Sequence, residues 1–321
     1  MTVPTQRKAP APAASATTGA VPAPVTPSLT SDQLRHLAET HGLKQMGVRP
    51  PLREYVRNLW ARRQFTAVLA RSKAYARNQT NYLGQLWSLL NPALNALTYV
   101  LIFGFILNTT KGVGNHIAFI VLGTFTFRFF DQSVAAGAKS ISSNMNLVRS
   151  VHFPRAVLPT SSVMSELFTA LPATIVMLAF AFGSGFLPDM DSIPITWQWL
   201  LLVPAMALLW LFNIGCAFFV ARWVAITPDL NNVIPFVMRL LMYGSGVIWT
   251  ISTHVTNEFW LKILDYQPVA VFLYLVRSCV MDDPTIPQSP ARWVWGAIWA
   301  VSFIVVGFLL FWRGEERYGR D

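Results

Sequence analysis

The sequence is poor in charge and in cysteine. Only 12% of its 321 residues are charged and 53% are apolar, whereas about a quarter of the residues in a soluble globular chain are charged. This shortage excludes an ordinary soluble domain and predicts a membrane protein. Cys216 and Cys279 are the only cysteines, and they lack metal-ligand spacing. We expect both to be packing residues.

Catalytic motifs are also missing. No G-x-x-x-x-G-K-[ST] sequence occurs, so the chain has no P-loop for nucleotide hydrolysis and must take energy from elsewhere. No supported Ser/His/Asp arrangement and no His/Cys cluster is found. The adjacent Asp282 and Asp283 are similar to a metal-binding glycosyltransferase motif, but we expect them to solvate a turn before Pro284. We predict a chain that is not an enzyme and holds no cofactor or metal. An integral-membrane glycosyltransferase or lipid-phosphate enzyme is the alternative.

Long apolar runs, by contrast, are abundant. A helix needs roughly 20 apolar residues to cross the hydrocarbon core of a bilayer. Six segments satisfy this requirement: 89–107, 117–137, 160–183, 197–221, 233–251 and 293–312. Glu166 interrupts the third and Arg239 the fifth. The predicted fold class is an all-α integral membrane protein with six transmembrane helices.

The distribution of positive charge predicts the orientation of these spans. The net charge is +10, and twelve of the 25 Lys and Arg residues precede the first span. With the 2–3 loop, the 4–5 loop and the C-terminal tail, nineteen lie on one side and four on the other. Positively charged loops stay in the cytoplasm, so we expect a multi-pass protein of the cytoplasmic membrane with both termini inside. The orientation of the spans thus explains the net positive charge, and we do not expect the chain to bind nucleic acid.

The region before the first span has two parts. Residues 1–31 are rich in Ala, Pro and Thr and contain no aromatic residue, so residues 1–50 are predicted to be a disordered cytoplasmic tail. In residues 51–80, apolar side chains recur at helical spacing, with a phase shift near Arg63, opposite a basic face. This pattern is typical of an amphipathic helix at the cytoplasmic headgroup layer. Residues 81–321 then form the transmembrane domain.

The connection between spans five and six runs from Ser252 to Arg292. Within it, VAVFLYLV (269–276) is too short to span a bilayer and too apolar for an open loop. It predicts a short re-entrant helix that dips back from the outer face. An amphipathic surface helix is the other interpretation.

Charged side chains interrupt the second span in the stretch TFTFRFFDQS (124–133). A lone Arg in a membrane is costly, so Arg128 should face protein or water, paired with Asp131 three residues on. In one interpretation these residues line a conduit for sugars, where aromatic rings offer weak contacts to a sliding polymer. In the other, they only hold span two against a neighbour such as Glu166. The candidate path residues are Phe125, Phe127, Arg128, Phe130, Asp131, Glu166, Arg239 and Tyr243.

The second cytoplasmic loop, KSISSNMNLVRSVHFPRAVLP (139–159), is short and amphipathic. A stiff element of this kind is suited to docking in a groove on a soluble partner. A plain connecting loop, the alternative, would not need so many apolar residues.

Three segments carry a family resemblance. YLGQLWSLLNPALNALTYVLIFGFIL (82–107) and NLVRSVHFPRAVLP (146–159) resemble motifs in the membrane subunit of ABC exporters for polysaccharides and teichoic acids on a polyprenyl lipid. FWRGEERYGRD (311–321) is similar to the short charged tail of that family. This ending and the Ala/Pro-rich leader look most like the actinobacterial exporters of cell-wall galactan. RNQTNYLG (77–84) departs from the family pattern, and TPDLNN (227–232) matches it only loosely.

The resemblance implies a homodimer completed by two copies of a separate cytosolic ATPase, which would bind ATP and Mg. It implies a channel for a lipid-linked polysaccharide along the dimer axis. It also implies that the basic helix and the second cytoplasmic loop contact the ATPase, which makes the following residues candidates for coupling: Arg57, Arg62, Arg63, Asn144, Asn146, Leu147, Arg149, Phe153 and Arg155. A passive channel or a scaffold for cell-wall enzymes is a further interpretation.

Overall fold

The computed structural model describes Thr30, Gln33, Leu37, Thr40 and residues 50–76, 84–106, 112–151, 153–188 and 190–318. The chain divides into two units, Met1–Met46 and Gly47–Asp321. In the first unit, the backbone N–H and the hydroxyl of Thr30 both donate to Gln33 Oε1, the hydroxyl at 2.8 Å. Gln33, Leu37 and Thr40 are helical, so the segment predicted as disordered contains helical residues. The remainder of that tail lies outside the described residues.

The second unit is built from helices, and no strand occurs in the part of the chain that the structure describes. We number the α-helices in chain order: α1 Leu52–Ala61, α2 Arg63–Ala76, α3 Trp87–Tyr99, α4 His116–Ala138, α5 Met145–Ser150, α6 Val157–Ser184, α7 Leu202–Ile226, α8 Leu230–Gly244, α9 Ile251–His254, α10 Glu258–Tyr266, α11 Pro268–Val280 and α12 Pro290–Arg313. The π-helix Val100–Ile106 continues α3, and the 3₁₀ turns Trp197–Leu201 and Glu315–Arg317 precede α7 and follow α12. The all-α fold class is confirmed.

Four helices are long and apolar enough to cross a membrane: α4, α6, α7 with its preceding turn, and α12. They coincide with the predicted second, third, fourth and sixth spans to within about five residues at each end. The bent pair α10 and α11 could supply a fifth crossing, whereas the apolar stretch Leu90–Ile102 of the predicted first span is shorter. The six-span count remains a prediction.

Helix α4 is the centre of the bundle. In α4, 83% of the most apolar 18-residue stretch is buried inside the protein, whereas the corresponding share is 22% in α6 and in α12. A helix that is apolar on all sides is normally enclosed by others, whereas α6 and α12 leave one face for lipid. This central position explains why Phe127, Phe129 and Phe130 of α4 are all buried.

The predicted fifth span, 233–251, is wrong as a single helix, because α8 ends at Gly244. Gly246 takes a φ of +69°, a left-handed conformation that a helix cannot continue. The exposed carbonyls at such a break would be costly in a membrane. Here side chains satisfy them: Trp249 donates to the Tyr243 carbonyl at 2.6 Å and Gln267 to the Gly244 carbonyl at 2.9 Å.

Arg277, on α11, supplies further hydrogen-bond donors at this break. Its guanidinium donates to the carbonyls of Gly246 at 2.9 Å, Val247 at 2.7 Å and Phe119 at 3.2 Å, and it lies 3.4 Å from the centroid of the Phe119 ring. A cation at the C-terminal end of a helix also complements the helix dipole. Gly123 leaves the space for this side chain, because a Cβ there would lie 2.3 Å from Arg277 Nη2.

The predicted apolar helix at 269–276 is present as α11, and almost all of its side chains are buried. It meets α10 at an angle of 74°. Arg292 joins α10 and α11 to α12, since its guanidinium lies 4.4 Å from the ring centroid of Tyr266 and 4.6 Å from that of Tyr274, and it forms a salt bridge with Asp265. A helix buried on all sides is not an amphipathic surface helix.

The predicted amphipathic helix of residues 51–80 is two helices, because α1 ends at Ala61 and α2 begins at Arg63. The predicted apolar face divides as well. Tyr55 is 1% exposed and contacts the bundle, whereas Leu52, Val56 and Trp60, one turn apart, form an exposed apolar stripe. Such a stripe is suited to a lipid surface, although residues 77–80 of the predicted helix lie outside the described residues.

Candidate functional site

A cavity of about 230 Å³ lies between α3, α4, α6 and α7. Most of its lining side chains come from α4 and α6: Trp87, Asn91, Pro92, Phe125, Thr126, Arg128, Phe129, Gln132, Glu166, Thr169, Ala170, Ala173, Thr174, Met177 and Met206. Three predicted path residues, Phe125, Arg128 and Glu166, are thus brought together. We call this the transmembrane cavity.

The transmembrane cavity is polar although apolar helices surround it. Arg128 and Glu166 place opposite charges on facing helices, and Asn91, Gln132 and Thr174 add amides and a hydroxyl. Thr126 Oγ1 is buried and has no hydrogen-bond partner among the described residues. A buried hydroxyl of this kind normally binds water or a ligand. The arrangement can therefore accept and donate hydrogen bonds to a hydroxyl-rich guest.

Asp131 and Tyr243 do not line the transmembrane cavity, but both interact electrostatically with Tyr99. Arg128 is the charged group that acts on the Asp131 carboxylate, which agrees with the predicted pair. Tyr99, at the end of α3, interacts electrostatically with Arg128, Asp131 and Tyr243, and its hydroxyl lies 3.6 Å from Met242 Sδ on α8. Sequence reasoning missed Tyr99, since nothing in the periodicity of α3 brings it to α8.

Phe127 and Phe130 are not in the transmembrane cavity. They are 6% and 5% exposed, and their ring centroids lie 5.9 Å apart. Phe130 stacks on Phe212 at 5.7 Å, and Phe212 in turn contacts Phe272 at 5.0 Å. Both side chains therefore belong to an aromatic core on the far side of α4. In this conformation they offer no surface to a polymer, which favours the packing interpretation for them.

A second cavity, of about 280 Å³, lies where α1, the loop before α6 and the segment after α12 meet. We call it the basal cavity. Arg62, Phe153 and Arg155, all predicted to couple with an ATPase, are among its lining residues. Phe153 is buried, with its ring centroid 5.7 Å from that of Phe65 in α2. The Arg155 guanidinium turns inward and donates to the Glu315 carbonyl.

The other predicted coupling residues lie at the same end of the bundle. Five of these side chains are exposed, namely Arg57, Arg62, Arg63, Asn146 and Arg149, while Asn144 and Leu147 are half-buried. Asn144 Nδ2 donates to the Ser140 carbonyl at 2.7 Å, which closes the turn that leads into α5. The loop predicted to be stiff thus contains the short helix α5, with Arg149 facing out and Val148 buried.

The paired acids Asp282 and Asp283 lie at the opposite end of the bundle. Asp283 accepts hydrogen bonds from the backbone N–H of Thr285 at 2.8 Å and of Gly114 at 3.0 Å. It therefore closes the turn that contains Pro284, as the sequence predicts. No group of three or more potential metal ligands occurs among the residues that the structure describes.

Long apolar helices around a charged cavity, with basic amphipathic helices at one end, define a multi-pass membrane protein of the permease class. The chain belongs to the ABC-2 type transporter family, which matches residues 63–281. This family membership confirms the resemblance to ABC exporter permeases and implies a partner ATPase subunit. The likeness to exporters of cell-wall galactan stays a prediction.

Several characterised permeases are similar to this chain. The O-antigen export system permease protein RfbA of Myxococcus xanthus is 30% identical over 255 residues, which cover 78% of this chain and 94% of that protein. The RfbA protein of Klebsiella pneumoniae is 26% identical, with coverage of 67% and 79%. The polysialic acid transport protein KpsM of Escherichia coli is 20% identical, with coverage of 73% and 87%.

Proposed function

We propose that this chain is the permease subunit of an ABC exporter that moves a lipid-linked cell-wall polysaccharide, galactan in our interpretation, out of the cytoplasm. A separate ATPase subunit supplies the energy. Family membership and the names of the relatives support export of a polysaccharide. The observation that carries the proposal is the transmembrane cavity, where Arg128 and Glu166 lie inside an apolar bundle. Ionisable residues at this depth are costly and usually mark a transport path.

A polymer must pass without being held, and the transmembrane cavity is suited to that task. Its charged groups, amides and hydroxyls can exchange hydrogen bonds with successive sugar hydroxyls. Phe125 and Trp87 add aromatic surface for the C–H faces of sugar rings. Many weak contacts stabilise every register of the polymer to a similar extent, so no single register becomes a trap. We therefore assign Phe125, Arg128 and Glu166 to the path, with Asp131 and Tyr243 beside it.

The exposed face of α8 supports a homodimer. Arg239 is exposed on this helix, nine residues after its start, which is about 14 Å along a helix axis. A charged side chain at such a depth should not face lipid. Phe236, Leu240 and Tyr243 are exposed on the same helix. A second copy that shares a water-filled channel with this face would solvate Arg239 and cover the apolar side chains.

Contacts between distant residues support six crossings with both termini on the cytoplasmic side. Tyr55, before the first apolar helix, donates a hydrogen bond to Glu315, after the last one, at 2.8 Å. Because the segment before the first crossing contacts the segment after the last one, both lie on the same side of the membrane, and the number of crossings must be even. Asp283 contacts Gly114 just before α4, so the α10–α11 pair returns to the outer side. In this arrangement α3 and α8 cross the membrane together with the four long helices, which makes six crossings, and α11 is re-entrant.

Co-purification tests the assignment. The tagged chain, expressed with its cognate ABC ATPase subunit, should retain that subunit at equimolar ratio. The substrate arm measures ATP-dependent export by the same complex of lipid-linked galactan against lipid-linked mannan in proteoliposomes. Preference for galactan supports the full proposal, whereas preference for mannan restricts it to the family. Absence of a retained ATPase contradicts it.

Cavity variants test the path separately. Arg128→Gln and Glu166→Gln should each lower export per folded complex by about tenfold, because a hydrogen bond to a charged group is worth about 1.5–3 kcal/mol and each variant removes one such group from the cavity. Glu258→Gln, at an exposed position of α10, is the matched control and should export normally. Normal export by both cavity variants would contradict the proposed path.

A further inference from the structure

Side chains from two distant segments of the chain bind the backbone immediately before α6. The backbone N–H of Arg155 donates to Glu315 Oε1 at 3.0 Å, and the backbone N–H of Ala156 donates to the Tyr55 hydroxyl at 3.1 Å. The Tyr55 hydroxyl donates in turn to Glu315 Oε2 at 2.8 Å. Arg155 and Ala156 immediately precede α6, and N–H groups at the start of a helix lack partners within the helix. For α6 these partners are 101 and 160 residues away in sequence. We call this group the α6 cap.

The α6 cap is buried and hydrogen-bonded. Tyr55 is 1% exposed and Glu315 is 9% exposed. Burial raises the pKa of the Glu315 carboxyl, and the hydrogen bonds from Arg155 and Tyr55 oppose that rise. The Tyr318 hydroxyl donates to the Phe311 carbonyl at 3.0 Å, which folds the terminal segment back onto α12. A buried carboxylate with specific donors resists displacement, because any movement leaves it without hydrogen bonds.

Helix α6 connects this cap to the transmembrane cavity. Glu166 lies ten residues after Ala156 on the same helix, a distance of about 15 Å along the axis. Helix α2 contacts the same helix between these points, where Lys73 Nζ donates to Ser161 Oγ at 3.3 Å and to Ser162 Oγ at 3.1 Å. A displacement of α1 and α2 therefore acts on α6 at two places, and α6 carries a cavity-lining carboxyl.

We propose that Tyr55 and Glu315 are positioning residues for transport: the α6 cap transmits displacement of the ATPase-facing helix α1 to α6, and through α6 to the transmembrane cavity. This inference rests on the proposed function. It assigns the C-terminal segment a direct part in the coupling of ATP hydrolysis to export. Because the cap acts through α6 in this proposal, its loss should change the efficiency of coupling and leave the binding of nucleotide and of polymer intact.

The experiment measures ATP molecules hydrolysed per polymer exported by the whole complex in proteoliposomes. Glu315→Gln keeps the shape of the side chain and removes its charge, and Tyr55→Phe removes one hydroxyl. We expect each to raise the ratio at least about fivefold, the lower end of the usual range for coupling between sites. Because the two groups form one unit, the double variant should resemble either single variant. Glu54→Gln, at an exposed position beside Tyr55, should keep the wild-type ratio.

The outcomes separate the two proposals. If the variants lower hydrolysis and export only as far as they lower the amount of folded complex, the ratio of ATP hydrolysed to polymer exported stays unchanged. The cap then has a structural role only, and the inference is overturned. Multiplying effects in the double variant would also overturn it. If Glu315→Gln does not accumulate as a folded complex, Tyr55→Phe alone decides between these results. A wild-type complex that hydrolyses ATP without exporting any polymer contradicts the proposed function itself, and this inference with it.

Discussion

Gly123 on α4 provides a sharp test of the architecture, because it leaves the space that Arg277 occupies. A Cβ at this position would lie 2.3 Å from Arg277 Nη2 and 2.6 Å from the Val247 carbonyl oxygen. Ordinary contacts between non-bonded heavy atoms are about 3.5–4.0 Å. Gly123→Ala therefore forces the guanidinium away from the carbonyls at the break after α8. Those carbonyls would then lose their donors at membrane depth.

The expected cost follows from three terms. Overpacking of a core by one methyl group costs about 1–3 kcal/mol. Ala offsets about 1 kcal/mol of this, because it favours a helix over Gly. If the guanidinium leaves, each hydrogen bond that a charged group loses costs about 1.5–3 kcal/mol more. With one such hydrogen bond lost, we expect a net destabilisation of about 1.5–5 kcal/mol for Gly123→Ala.

The assay is thermal unfolding of the purified protein in detergent, followed by size-exclusion chromatography. Gly183→Ala is the matched control, because nothing lies within 4 Å of its added Cβ, and it should be neutral or slightly stabilising. Gly123→Ala should unfold several degrees below both wild type and this control. Equal midpoints for the two variants would refute the assigned position of Arg277.

Three further outcomes are expected. Phe127→Ala and Phe130→Ala should each lower folded yield, because truncation of a buried Phe costs about 3–5 kcal/mol; a slowed export rate at normal yield would instead place these rings in the path. Burial lowers the pKa of the Lys73 amine from 10.5 to about 8 in the folded protein. The charged amine therefore destabilises the folded state by the full amount below pH 8. This destabilisation decreases as the pH rises from 8 to 10.5, because the folded state loses the proton first. The midpoint of wild type should therefore rise relative to Lys73→Met over that pH interval, and a constant difference would contradict the assigned burial. Arg149→Glu, exposed on α5, should insert normally and uncouple ATP hydrolysis from export, and wild-type export would refute a docking role for this helix.

The long spans could be predicted because the length of an apolar run is a local property. Helices α4, α6, α7 and α12 were found within a few residues of their ends. The break after α8 was missed, because it depends on donors from Trp249, Gln267 and Arg277 that are distant from it in sequence or lie beyond a turn. A hydropathy pattern contains no information about such partners.

The candidate site was predictable only in part, for a related reason. Arg128 and Glu166 stand out as charges in apolar segments, and both line the transmembrane cavity. Phe127 and Phe130 were equally visible, but only the central position of α4 shows that they belong to the core. Tyr55 and Glu315 looked like ordinary members of an amphipathic face and a charged tail. Their contact, across 260 residues, is a property of the folded chain.

The most direct test of the account is reconstitution of the purified chain in liposomes with lipid-linked polysaccharide on the ATPase-accessible face. Arrival of polymer at the other face is measured with and without the cognate ATPase subunit and ATP. The account predicts movement only when the chain, the ATPase and hydrolysable ATP are all present. Polymer movement at the full rate by this chain alone would contradict it.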